Sequence, residues 1–143
     1  MGVALLLAGC TRVVPGTAHP VTPPPADREL IAHYFRENNE AAARGPQAQQ
    51  EFLRRTQHPD HPPTGCELGD LVLYLEPALS TLRPDPDWVV PGSSGVRPRG
   101  AVYVVAVTVT ARQDGSVVAT QIGTKHVVVL DGKTYGFTPC PRA

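Results

Sequence analysis

Between Asp27 and Arg44, apolar side chains fall at Leu30, Ile31, Tyr34, Phe35, Ala41 and Ala42. This stripe at i, i+1, i+4, i+5 predicts an amphipathic helix. Asp27 and Glu29 sit in its first turn, where the helix dipole favours acids, and Gly45 supplies a stop. Pro46 suits the first turn of a second helix running to Gln57, with Phe52 and Leu53 facing inward. Pro59, Pro62 and Pro63 end it.

After Cys66 the period changes to two. Leu71, Leu73 and Leu75 alternate with Val72 and Tyr74, as in a strand buried on both faces. Pro77 is expected to interrupt it, leaving Leu79–Arg83 as a short second strand. Trp88–Pro91 and Gly92-Ser93-Ser94-Gly95 read as turn or loop. From Ala101 to Arg112 a long alternating run of β-branched residues predicts a strand. Asp114-Gly115 turns it into Val117–Leu130, and Asp131-Gly132 turns that into Thr134–Phe137, both dipeptides being hairpin signals. Gly123 is expected to mark a bulge or bend that curls the sheet. The order predicts an α+β domain over 27–143, with two N-terminal helices packed on a curved antiparallel sheet in meander order.

Thr11–Ala26 has neither period and is rich in Pro and Thr, a composition that cannot bury a core. It is expected to be a disordered tether over 10–26, reaching about 50 Å if extended at roughly 3.1 Å per residue. Before it stands MGVALLLAGC, an apolar run leading through Leu7-Ala8-Gly9 into Cys10. These residues resemble the lipobox of bacterial lipoproteins, in which the cysteine thiol receives a diacylglyceryl group carrying acyl chains such as palmitate. Small side chains at Ala8 and Gly9 admit a peptidase, and two acyl chains suffice for stable attachment to a bilayer. Residues 1–9 would then be a signal peptide. The absence of Lys or Arg before the apolar run is what a start placed downstream of a basic segment would give. The other reading is an apolar N-terminus on a cytosolic protein, with Cys10 an incidental thiol.

Lipidation of Cys10 leaves Cys66 and Cys140 as an even pair. In an oxidising compartment they are expected to form a disulfide, stabilising the fold by roughly 4–5 kcal/mol in the chain-entropy model. Two reduced buried cysteines are the alternative. The run IAHYFRENNEAAARGPQAQQEFLRRTQHPD, followed by long strands, resembles the opening of the nuclear transport factor two-like superfamily, a cone-shaped fold. The whole chain is similar to extracytoplasmic lipoproteins of high-GC Gram-positive bacteria, with their GC-T-R start, Pro/Thr tether and terminal cysteine. Arg outnumbers Lys eleven to two, in keeping with a GC-rich genome.

The cone fold implies a pocket between the first helix and the concave sheet face. Tyr34, Tyr74, Tyr103 and His126 could approach it, as could His33 and Asp70. No motif pairs them, so no catalytic residue is carried over. His58-Pro59-Asp60-His61 contains metal-competent groups but no third ligand, and reads as a solvated loop ending a helix rather than a metal site. Gly92-Ser93-Ser94-Gly95 lacks the spacing of a nucleophile elbow. No cofactor motif is present.

Thirteen basic residues balance thirteen acidic ones, which gives no electrostatic case for nucleic acid. The balance is uneven along the chain. Residues 56–90 hold six acids and one base, residues 91–143 two acids and six bases. Arg97 and Arg99 could form a basic patch for phosphate or an acidic glycan, or the two stretches could offset each other across adjacent strands. The chain is thus expected to be anchored at the outer face of the cell membrane as a non-enzymatic binding or interaction module, taking an apolar small ligand or an envelope protein. The alternative is a small cone-fold isomerase, dehydratase or hydrolase acting on an apolar small molecule.

Overall fold

A computed structural model of the protein describes residues 21–62 and 67–137. Cys10, Cys66 and Cys140 lie outside the described residues, and with them the lipidation and the disulfide. The fold is α+β, with two helices packed on a four-stranded antiparallel sheet. Helix α1 spans Pro25–Arg44 and α2 spans Pro46–Arg55, each with proline in its first turn. Gly45 separates them at φ 118°, a conformation that other residues rarely adopt. Helix α2 stops two residues before the expected Gln57. Thr56 caps it, its hydroxyl donating to the Phe52 carbonyl at 2.9 Å. Among the described residues no helix is long and apolar enough to cross a membrane.

Strands β1 (Leu71–Pro84), β2 (Ala101–Gln113), β3 (Ser116–Leu130) and β4 (Lys133–Tyr135) pair in chain order. Both Asp-Gly turns are two-residue hairpins with positive φ at both positions, 50° and 79° at Asp114 and Gly115, 51° and 71° at Asp131 and Gly132. Pro77 does not interrupt β1. It pairs with Val107 on an edge strand, where the N–H it lacks would have pointed away from β2. The irregularity comes after it, between Ala78 and Arg83, where residues 79–82 bulge out and the Thr81 hydroxyl accepts from the Ala106 N–H at 2.9 Å. Gly123 is likewise regular, pairing with Val107 in an unbroken register. The bulge in β3 lies at Val118, between the pairs Ala111–Ala119 and Arg112–Val117.

The core lies between the helices and one sheet face. Ile31, Tyr34, Phe35 and Ala41 from α1 and Phe52 from α2 meet Leu75, Leu82, Tyr103, Val105, Val107 and Val127. The Tyr103 hydroxyl donates to the Asp27 carboxylate, tying the start of α1 to β2. Burial and this neighbouring carboxylate both raise the Tyr103 phenol above its ordinary range, so it stays a donor. The helices also close the outer edge of β1. Gln49 accepts from the Leu73 N–H at 2.9 Å and donates to its carbonyl at 2.7 Å, while Asn39 does the same for Leu75 at 2.8 and 2.9 Å. Buried Asn38 adds a bond to the Leu73 carbonyl at 3.0 Å.

Candidate functional site

A pocket of about 340 Å³ opens between α1 and β4. Leu30, His33, Tyr34 and Glu37 enter it from α1, Arg55 and Thr56 from the end of α2, and residues 132–135 from the last hairpin. After β4 the chain packs beside the segment that follows α2. Gly136 exchanges backbone bonds with the segment after α2, donating to the Thr56 carbonyl at 2.8 Å and accepting from the His58 N–H at 3.0 Å. Gly136 also lies against the Tyr34 ring, where a Cβ would come within 2.2 Å of the phenolic oxygen.

The walls are apolar and the rim is charged. Tyr34 is 3% exposed, and burial pushes its phenol up to about 12 despite a hydrogen bond with Thr56. Its hydroxyl therefore remains protonated. The Arg55 guanidinium rests over the Phe52 ring at 5.7 Å, and His33 faces Glu37 at 3.6 Å and Arg36 at 3.2 Å. The Thr134 hydroxyl, from a residue lining this pocket, is buried with no hydrogen-bond partner. Such a group costs free energy unless something supplies the missing partner.

Of the four residues singled out from sequence, Tyr34 lines the pocket and the other three lie elsewhere. The space between α1 and the sheet is filled by core side chains, Tyr103 among them. Tyr74 stands under the Arg112 guanidinium at 5.0 Å. His126 shares the opposite sheet face with buried Val104 and Val128, where it bonds Asp85 at 2.9 Å and stacks on Trp88 at 4.2 Å. His33 does reach the pocket, while Asp70 is exposed in the turn before β1. Arg55, Lys133 and Thr134 carried no sequence signal, because only the return of β4 alongside α1 brings them together.

The segment after α2 is an irregular stretch exposed at Pro59, Asp60 and Pro62, as expected of a solvated loop, but the first residue of the motif departs from that reading. His58 is fully buried, accepting from the Asp60 N–H at 3.2 Å through Nδ1 and meeting the Arg99 carbonyl at 2.9 Å through Nε2. With Nδ1 as acceptor, Nε2 carries the proton and donates. Its ring stacks on Phe137 at 5.6 Å, so one imidazole joins three segments distant in sequence. Among the described residues no three His, Cys, Asp or Glu converge as metal ligands. Arg99 pairs with Asp60 through two bonds of 2.8 Å, and Arg97 with Asp87 at 2.7 Å. The basic and acidic stretches thus offset each other, across loops rather than strands. Asp60 is held below the usual carboxylate range chiefly by the bond from Arg99.

No protein-family model, no curated protein and no solved structure matches this chain.

Proposed function

We propose that the chain is a membrane-anchored extracytoplasmic lipoprotein whose domain is a non-enzymatic binding module of the cell envelope. The anchor reading rests on LAGC with its Pro/Thr-rich tether, and the likeness to the nuclear transport factor two-like cone on element order. The binding reading rests on one observation, the pocket between α1 and β4 with two cations at its opening. Leu30, Tyr34 and Tyr135 offer apolar surface, and Arg55 and Lys133 stand at the same opening. That combination suits a small apolar molecule carrying an acidic group, with the cations meeting the acid.

The probe is anilinonaphthalene sulfonate, an aromatic anion of suitable size. Saturable binding that weakens with Lys133→Glu and Arg55→Glu, and leaves thermal unfolding of the variants unchanged, supports the reading. Absence of saturable binding, or binding indifferent to both substitutions, overturns it.

A catalytic reading has one observation of its own, the Asp85–His126 pair, since a carboxylate oriented on an imidazole is an acid–base arrangement. The pair lies on the sheet face away from the pocket, and Trp88 covers the imidazole. Binding is therefore the better-supported function.

A further inference from the structure

The two edges of the sheet are treated differently. Along β1, Gln49 occupies Leu73, Asn39 occupies Leu75, Pro77 has no N–H to offer, and Arg28 donates to the Leu79 carbonyl at 2.8 Å. Along β3, β4 covers only Val128–Leu130. Because Leu73 and Leu75 face outward, the alternate residues of β1 bond β2, and the odd-numbered residues of β3 bond β2 in turn. The N–H and C=O groups of Thr120, Ile122 and Thr124 therefore point outward.

We infer that this open edge is the docking surface for a second copy of the chain, whose own β3 adds antiparallel and joins the two sheets into one. Natural edge strands are usually blunted by charge, proline or shortness. Ser116–Thr124 has no charged residue and no proline, and Ile122 is 79% exposed, with Val117 at 56% and Val118 at 53%. The open span runs from the bulge at Val118 to His126, where Lys125 reaches the Phe137 carbonyl at 3.3 Å and the chain after β4 begins to cover the edge. Its midpoint is Ile122.

A two-fold axis at that residue sets Ile122 opposite Ile122, Thr120 opposite Thr124, Val118 opposite His126 and Lys125 opposite Ala119. At the centre of the pairing isoleucine meets isoleucine and threonine meets threonine, and no like charges face each other along it. Ser116–Thr124 offers no charge to a charged partner, whereas a neutral chain approaches its own copy without long-range repulsion. With the β1 edges closed, pairing consumes both open edges and the assembly stops at two. A single strand pair is a small contact, below the roughly 1,000 Å² of a stable complex, so dimerisation in solution is weak and concentration-dependent.

Sedimentation velocity of the full 143-residue chain, from micromolar to millimolar, tests this. The expected result is a reversible shift from monomer to dimer. Ile122→Lys, at a side chain with no core contact, removes the shift while preserving the circular dichroism spectrum, and Ile122→Val keeps it. Ile122→Cys, under mild oxidation, cross-links two copies through residue 122 itself, identified by peptide mass. A chain that stays monomeric at millimolar concentration overturns the inference. So does a dimer that survives Ile122→Lys, or an assembly that grows past two.

Discussion

Gln49 pairs with Leu73 as another strand would, accepting from its N–H at 2.9 Å and donating to its carbonyl at 2.7 Å across 24 residues of sequence. The amide is fully buried, so neither backbone group has water as an alternative. Asn38 still donates to the Leu73 carbonyl, so Gln49→Leu orphans the Leu73 N–H and the Asn38 Oδ1, and is expected to lower the unfolding free energy by about 2 kcal/mol after partial offset by apolar burial. Urea denaturation measures it. Gln49→Glu should cost a comparable amount, because a carboxylate accepts but cannot donate to the carbonyl.

The contact between Gly136 and Tyr34 sets a second expectation. Gly136→Ala places a methyl group 2.2 Å from the Tyr34 oxygen and 3.0 Å from its ring carbon Cζ. A destabilisation of about 2 kcal/mol is expected, typical of overpacking. Adding Tyr34→Phe removes the nearer obstacle, so the double variant should recover part of the loss. Thermal unfolding of the four proteins in the cycle gives the coupling, and strict additivity would show that the hydroxyl is not the obstacle.

Much of this architecture is legible in the sequence. The stripe from Leu30 to Ala42 and the two Asp-Gly dipeptides specify α1 and both hairpins, since each depends on local periodicity or turn stereochemistry. What local pattern could not give is what distant segments do to one another. Pro77 reads as a strand breaker until β1 is known to be an edge. His58 reads as a loop residue until Arg99 and Phe137 are known to close over it. The same holds for the pocket, whose Thr134 and Arg55 are 79 residues apart and share no motif.

Stability should depend on pH in an unusual window. Burial lowers the Lys125 ammonium from 10.5 to about 8, so below that the folded chain carries a charged, partly desolvated group. Between about 8 and 10 the folded chain has released this proton while the unfolded chain still holds it. Stability therefore rises with pH there, by on the order of 1 kcal/mol for a half-buried group. Above about 10 the sign reverses. Tyr34, held at about 12, and Tyr103, also raised, keep protons that the unfolded chain loses. Urea midpoints near pH 7, 9 and 11 should rise and then fall, and Lys125→Met should remove the rise.

Thr134→Val separates stability from binding. The buried hydroxyl has no partner, and valine suits a strand, so the variant should be more stable by about 1 kcal/mol. Because that hydroxyl is sealed from the pocket surface, the same variant is expected to bind anilinonaphthalene sulfonate as the parent does. Calorimetric unfolding and fluorescence titration of one sample check both.

The anchored binding module is tested most directly by the intact mass of the natively expressed protein, recovered from membranes and measured with and without reductant. The predicted species begins at Cys10, carries a diacylglyceryl group, and gains two mass units on reduction as the Cys66–Cys140 bridge opens. A soluble, unmodified chain that retains Met1 and three free thiols would contradict the account.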